Sequence, residues 1–177
     1  MQEQSKLAHF EQAVLPHLGA AYNLARWFTG NDTDAEDVVQ EAYLRALKFF
    51  SGFHGTNGRA WLLMIVRNTC YTWLQRNRAH MPTDSFDEEV HSLECNAANP
   101  ETILLQRADN ELLRQALEEL PMEFREVMVL RELEELSYRE IANIAHVPIG
   151  TVMSRLARAR KRLQQSLGNS RLNKGGM

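Results

Sequence analysis

The stretch 137–167 constrains the fold most strongly, because its apolar residues repeat at helical spacing on both sides of one proline. Ser137 and Glu140 form the S-x-x-E pattern that is typical of a capped helix start. Val147-Pro148 predicts the end of this helix, since proline disfavours helical geometry in the residue before it. The sequence therefore predicts two helices joined by a tight turn.

The second of these helices has two chemically different sides. At about 100° per residue, Val152, Leu156, Ala159 and Leu163 fall on one side and predict a buried stripe. The opposite side is small at its centre and cationic at its edges. It comprises Ser154, Arg155, Ala157, Arg158, Arg160, Lys161 and Arg162.

A small, cationic helix face suits DNA. Small residues allow close approach to base edges, and arginines at the rim suit phosphates. This is the pattern of a recognition helix in a helix-turn-helix. The alternative is an ordinary amphipathic helix with a solvated basic face. That alternative does not explain why residues 151–177 are basic and contain no Asp or Glu.

Charge is segregated along the whole chain. The net charge of -3 hides a stretch without acids over residues 42–83, an acidic stretch over 84–135, and a purely basic end after Glu140. Alternation of this kind indicates two surfaces that face polyanions, separated by an acidic segment.

Several classes of protein are not supported by the sequence. It has no apolar run long enough to span a membrane and no secretory signal pattern, and Cys70 and Cys95 read as reduced thiols. His91 and Cys95 have the spacing of half a metal site, but no second pair accompanies them. No glycine-rich phosphate loop or nucleophile motif is present. We therefore expect a cytoplasmic protein that is not an enzyme and has no metal or cofactor.

Helical periodicity prevails, and no run alternates convincingly at period two. We predict an all-α fold of two small helical domains, over residues 1–79 and 101–170, followed by a tail over 171–177. The N-terminal helices are predicted at 7–28, from Asp34, and at 59–78. The C-terminal ones are predicted at 101–120, from Pro121, and in the stretch described above.

The segment 80–100 interrupts the helical pattern. Its acids, prolines and asparagines predict a flexible linker between the two domains. About twenty residues at ~3.3 Å each reach ~65 Å when extended.

The predicted helix 59–78 is apolar around most of its circumference, which predicts a central position in a bundle. One narrow polar stripe interrupts it. Arginines interleaved with an aromatic ring along one line can hold single-stranded DNA by charge and base stacking. The alternative, which the composition leaves equally open, is that the tyrosine and asparagine are packing residues and the arginines merely solubilise. The stripe comprises Arg67, Tyr71, Gln75 and Arg78, with Asn68 beside it.

The helix that begins near Asp34 also leaves a polar face, which includes Asp37, Gln40 and Glu41. For an isolated helix, a solvated face is the simpler interpretation.

Three blocks in this order resemble the bacterial extracytoplasmic-function sigma factors, a family within the sigma-70 superfamily. DAEDVVQEAYLRAL resembles the helix with which that family binds core RNA polymerase, and RAWLLMIVRNTCYTWLQRNR resembles its promoter-melting and minus-ten segment. LPMEFREVMVLRELEELSYREIANIAHVPIGTVMSRLARARKRL resembles region four, the most specific of the three. The resemblance extends from about Phe10 to Leu167.

The resemblance implies a function and partners. The chain would bind core RNA polymerase and direct promoter-specific initiation, for a stress or envelope response, under the control of an anti-sigma factor. Asp37, Gln40 and Glu41 would contact the clamp helices of the largest polymerase subunit.

The resemblance also implies roles at the promoter. In the C-terminal domain, Ser154, Ala157 and Arg158 would face the minus-thirty-five element, and Arg155, Arg160 and Arg162 its phosphates. Lys161 is a further predicted contact of the same element. In the N-terminal domain, the loop 53–57 would capture a base flipped from the non-template strand. The predicted minus-ten contacts are Phe53, His54, Asn57, Arg67, Asn68, Tyr71, Gln75 and Arg78.

Two positions depart from the family pattern. Thr72 stands where an Asp or Asn is frequent, and Met153 stands where a Lys or Arg is frequent. Both affect the predicted promoter sequence rather than the family.

Promoter elements ~17 base pairs apart at ~3.4 Å per pair lie ~58 Å apart, within reach of the linker.

The alternative function is a dimeric regulator that binds a palindromic operator. It would need a dimerisation helix, but the sequence has no heptad seam, and the cationic third helix would have no role. A tight, specific complex with duplex DNA in the absence of polymerase would favour this alternative.

Overall fold

The computed structural model describes residues 1–77 and 100–174, with side chains for 1–77 and 110–170. These residues form helices and connecting turns and contain no strand, which confirms the all-α fold. Residues 80–99 of the predicted linker, which include His91 and Cys95, lie outside the described residues, as does Arg78. None of the described helices combines the length and apolar composition needed to cross a bilayer.

The N-terminal domain contains four α-helices: α1 (Gln2–Val14), α2 (Leu18–Thr29), α3 (Asp32–Phe49) and α4 (Gly58–Asn77). The single helix predicted at 7–28 is wrong. A short 3-10 segment, Leu15–His17, separates α1 from α2, and Pro16 lies within it. Proline removes a backbone donor and clashes with the preceding turn, so a continuous helix is broken there.

Local signals set the turn between α2 and α3. Gly30 ends α2 with φ 84°, in the left-handed region that glycine adopts without steric cost. Asn31 then caps α3, and its side-chain oxygen accepts a hydrogen bond from the backbone N–H of Asp34 at 2.8 Å. Helix α3 therefore begins close to its predicted position.

Helix α4 lies centrally in this domain, as its wide apolar surface predicted. It packs against α1, α2 and α3, and buries Leu62, Leu63 and Val66 in the common core. At its start, Gly58 approaches α1 so closely that a Cβ would lie 2.4 Å from the carbonyl oxygen of Ala13. The absence of a side chain therefore allows α4 to enter the bundle here.

The C-terminal domain consists of α5 (Pro100–Glu119), α6 (Met122–Met128), α7 (Tyr138–Ala145) and α8 (Ile149–Lys174), with a π-helical turn over Val129–Leu133. The predicted capped start of α7 is confirmed, since Ser137 Oγ accepts from the backbone N–H of Glu140 at 3.1 Å. The core of the C-terminal domain includes Leu130, Ile141, Ile144, Val152, Leu156 and Ala159.

The tight turn between α7 and α8 depends on His146. It adopts φ 58° and ψ 43°, a left-handed conformation at the end of α7, and its N–H donates to the carbonyl of Ala142. Pro148 follows, and the carbonyl of Pro148 accepts from the N–H of Val152 at 3.2 Å. The predicted helix-turn-helix is therefore present, with α8 as its second helix.

The two domains pack against each other. Helix α4 contacts α7, and α2 contacts α6 and the π-helical turn. The sequence did not predict this packing.

Candidate nucleic-acid interface

The outer face of α8 is open. Val152, Leu156 and Ala159 are fully buried, so the opposite side of α8 points away from the core, as predicted. Arg155 is half-buried. The remaining predicted contacts are exposed: Ser154, Ala157, Arg158, Arg160, Lys161 and Arg162.

The cations on this face differ in what holds them. Arg160 donates to Glu132 at 3.0 Å, and this hydrogen bond raises the pKa of the guanidinium. The guanidinium of Arg162 lies 5.0 Å from the centroid of the Phe124 ring. No described acid forms an ion pair with Arg158 or Lys161. These two cations are thus available beside the small centre of the face, and contacts with Glu132 and Phe124 orient Arg160 and Arg162.

Part of the polar stripe of α4 is covered. The side chain of Arg67 is only 17% exposed, and its Nε donates to Glu126 Oε1 at 2.5 Å. The hydroxyl of Tyr71 donates to Glu126 Oε2 at 2.9 Å. Glu126 itself is 0% exposed and belongs to α6 of the C-terminal domain. Arg67 and Tyr71 therefore face an acid of the same chain.

Burial shapes the chemistry around this stripe. Desolvation, and then the neighbouring carboxylate of Glu126, raise the pKa of Tyr71 well above its ordinary value. Burial likewise raises the pKa of the Cys70 thiol, so Cys70 is held as an unreactive packing residue. Asn68 is half-buried, and its side-chain oxygen accepts from Arg67 Nη1 at 3.3 Å. Gln75, one turn beyond Tyr71 along α4, is exposed.

The loop before α4 is partly occupied by packing. The ring of Phe53 is half-buried, with its centroid 4.8 Å from that of Trp61. Asn57 caps α4, since its Oδ1 accepts from the N–H of Ala60 at 3.1 Å. His54 is exposed. Phe53, His54 and Asn57 therefore lie at the N-terminal end of α4. Arg67, Asn68 and Tyr71 lie further along that helix.

The polar face of α3 lies at the surface. Asp37 and Gln40 are exposed, whereas Glu41 is half-buried and pairs with Arg45 at 2.6 Å. Beside them the structure shows an apolar groove of about 390 Å³, lined by Leu18, Val39, Gln40, Tyr43 and Leu44. The spacing of residues along the sequence did not indicate this groove.

Glu126 was also missed. A signal existed, because it is the one acid within the run FREVMVL, whose other members are apolar except for Arg125. An acid surrounded by core residues requires a buried partner. The sequence does not say where that partner lies, since Arg67 is 59 positions away.

The two domains match known protein families. Residues 13–80 match the family described as Sigma-70 region 2, and residues 110–163 match Sigma-70, region 4. The two matches fall on the two domains of the structure and define a protein of the sigma-70 class.

Curated relatives give the particular family. The ECF RNA polymerase sigma-E factor of Escherichia coli is 35% identical over 141 residues, which cover 76% of this chain and 74% of that protein. The ECF RNA polymerase sigma factor SigE of Mycolicibacterium smegmatis is 32% identical over 93% of this chain, which spans 64% of that relative's length. The chain belongs to the ECF RNA polymerase sigma factors.

Two solved structures are similar. The sigma factor RpoE, from its complex with the anti-sigma factor NepR from Bartonella quintana, is 31% identical with a TM-score of 0.72, and the match covers 90% of this chain and 97% of that one. CnrH, solved with the cytosolic domain of CnrY, is 26% identical with a TM-score of 0.62, over 90% of this chain and 88% of that one. Both confirm the fold.

Proposed function

We propose that this chain binds core RNA polymerase and directs it to promoters through two DNA-binding surfaces on separate domains. The observation that carries this proposal is the outer face of α8, in a chain whose two domains match regions 2 and 4 of the sigma-70 family. That face exposes small residues at its centre and, beside them, two cations that pair with no acid among the described residues.

The surface of α8 would bind the minus-thirty-five element. Ala157 and Ser154 are short enough for the helix to enter the major groove, and Arg158 lies between them and Lys161 along the helix. An arginine that donates to a guanine edge typically contributes ~1–3 kcal/mol of discrimination. Arg160 and Arg162 would contact the flanking phosphates.

The loop 53–57 and the stripe of α4 would bind the melted non-template strand. Arg67 offers charge and Tyr71 a ring for stacking, which together suit single-stranded DNA. His54 and Gln75 are exposed at the two ends of this surface. Because Arg67 and Tyr71 contact Glu126 in the packed arrangement, this function requires the two domains to separate.

Helix α3 would bind the polymerase. Asp37 and Gln40 are exposed, and the adjacent apolar groove carries the exposed side chain of Leu44. An apolar patch with a polar rim is the usual composition of a protein-binding surface. The structural relatives RpoE and CnrH were solved with NepR and with the cytosolic domain of CnrY, respectively. We therefore propose that an anti-sigma factor regulates this chain.

Run-off transcription with purified core polymerase tests this proposal. The intact chain is expected to direct initiation from discrete sites in genomic fragments. Arg158→Ala should reduce initiation by about tenfold or more, since it removes one base contact. Lys6→Ala, which removes an exposed cation of α1 outside the proposed surfaces, is the matched control and should leave initiation unchanged. Equal initiation by both variants would contradict the role of Arg158.

Binding to polymerase is tested separately. Asp37→Ala and Gln40→Ala should weaken association with core polymerase without changing the helical content of the chain. The dimeric operator-binding alternative receives no support from the relatives named above. A chain that bound duplex DNA tightly as a dimer, and never associated with core polymerase, would restore it.

A further inference from the structure

A carboxylate is buried between the two domains. Glu126 has no exposed side-chain surface, and both of its oxygens are engaged by α4, one by Arg67 at 2.5 Å and one by Tyr71 at 2.9 Å. A charge removed from water is unfavourable unless it is paired and hydrogen-bonded. Glu126 is therefore stable in its position only while α4 lies against it.

The residues that hold Glu126 are residues proposed to hold DNA. The Arg67 guanidinium carbon lies 4.1 Å from the centroid of the Tyr71 ring, and Phe28 meets the same ring edge-to-face at 5.3 Å. Both of these ring contacts lie within the N-terminal domain, whereas a phosphate would need the guanidinium that Glu126 engages. A carboxylate offers Arg67 the same kind of charged acceptor as a phosphate. Binding of Glu126 and binding of DNA at these groups therefore exclude each other.

Two further polar contacts cross the same interface. Arg59 of α4 donates to the carboxylate of Glu134 at 2.8 Å and to its backbone carbonyl at 2.5 Å. Arg125 of α6 donates to the backbone carbonyl of Trp27 at 3.0 Å. In each case, as with Arg67 and Glu126, an arginine of one domain donates to an acceptor of the other, and that hydrogen bond is lost when the domains separate. Relative motion is the usual expectation for two domains of one chain.

We propose that these contacts, Arg67 and Tyr71 with Glu126, Arg59 with Glu134, and Arg125 with Trp27, form an intramolecular latch that withholds the α4 surface from single-stranded DNA. This inference rests on the proposed role of α4. The latch is selective, because Ala157 and Arg158 on α8 are exposed in the same packed arrangement. The latched chain keeps the duplex-binding face open and the single-strand face closed.

The experiment compares isosteric variants of the full chain. Glu126→Gln keeps the shape of the side chain and removes its charge. Glu123→Gln removes an exposed charge from the same helix and is the matched control. Glu134→Gln removes the second ion pair and serves as an independent variant. Circular dichroism verifies that each variant keeps its helical content.

Domain separation is measured without DNA by fluorescence energy transfer. Labels are placed at Gly19→Cys, where a Cβ meets no atom within 4 Å, and at the exposed Gln164→Cys, in a Cys95→Ser background. Cys70 is buried and does not compete for the label. Affinity is measured for single-stranded DNA of mixed sequence and for duplex DNA, both without polymerase.

We expect Glu126→Gln to lower the transfer efficiency and to tighten single-strand binding by about ten- to hundredfold, the range that corresponds to loss of one charged hydrogen bond. Glu134→Gln should act in the same direction with a smaller effect. Glu123→Gln should change neither quantity, and duplex binding should be the same in all variants.

Unchanged transfer efficiency in both Glu126→Gln and Glu134→Gln would overturn the latch. Reduced transfer without a gain in single-strand affinity would overturn its role in withholding the α4 surface. If Glu126→Gln alters the helical content, Glu134→Gln decides the question. Run-off transcription separates the two proposals. If the variants open and gain single-strand affinity but the chain never directs initiation by core polymerase, the latch is supported and the proposed function is contradicted.

Discussion

Helices α4 and α8 carry the same kinds of residue but present them differently. Each has an apolar surface and a line of arginines, and sequence reasoning assigned both lines to DNA. In the structure the arginines of α8 face outward, whereas Arg67 of α4 is covered by Glu126. Periodicity predicts which side of a helix is polar. It does not predict whether that side meets solvent, DNA or an acid of the same chain.

The buried side of α8 gives the largest expected effect. Leu156 is 0% exposed at the centre of the C-terminal core, so Leu156→Ala should lower the free energy of unfolding by ~2–5 kcal/mol. Met153→Ala, on the exposed side of the same helix, should cost less than ~0.5 kcal/mol. Chemical denaturation followed by circular dichroism measures both. Equal costs would mean that α8 is not oriented as described.

Arg67 of α4 and Arg158 of α8 test directly whether the polar sides of the two helices differ in their surroundings. Arg67→Ala should lower the free energy of unfolding by ~1.5–3 kcal/mol, because it removes a charged hydrogen bond and leaves Glu126 without its cation. Arg158→Ala should change stability by less than ~0.5 kcal/mol, because it has no partner among the described residues. Denaturation curves of the two variants under identical salt conditions measure this difference. Equal stability of the two variants would contradict the described difference between the covered Arg67 and the exposed Arg158.

The entry of α4 into its bundle gives a third test. Gly58→Ala should lower the free energy of unfolding by ~1–3 kcal/mol, because its Cβ would meet the backbone carbonyl of Ala13 at 2.4 Å. Gly19→Ala is the matched control in α2, where nothing lies within 4 Å. That control should stabilise the chain by up to ~1 kcal/mol, since alanine favours the helix. Thermal unfolding of the pair measures the contrast, and a neutral Gly58→Ala would contradict the close approach.

The turn before α8 gives the smallest expected effect. His146 holds a left-handed conformation with φ 58°, which costs an L-residue about 1 kcal/mol relative to glycine. His146→Gly should therefore raise the free energy of unfolding by roughly 0.5–1 kcal/mol, after the greater entropy of glycine in the unfolded chain is subtracted. His146→Ala keeps the strain and is the control. A loss of stability in His146→Gly would indicate that the imidazole makes a contribution of its own.

The sequence by itself predicted the helices that have strong local signals. The cap at Ser137, the stop at Val147-Pro148 and the buried stripe of α8 all follow from short-range spacing, and the structure confirms them. The break at Pro16 carried an equally local signal, which the periodicity of the surrounding residues masked. Capping, proline geometry and periodicity act within one or two turns, so a linear sequence contains them.

The way in which the two domains meet is visible only in the folded chain. Arg67 and Glu126 are 59 positions apart, and the predicted linker lies between them, so no local rule pairs them. The chain could place the polar stripe of α4 against solvent or against an acid at similar local energy. The choice depends on whether a buried charge across the interface finds its partner, and that is a property of the packed domains.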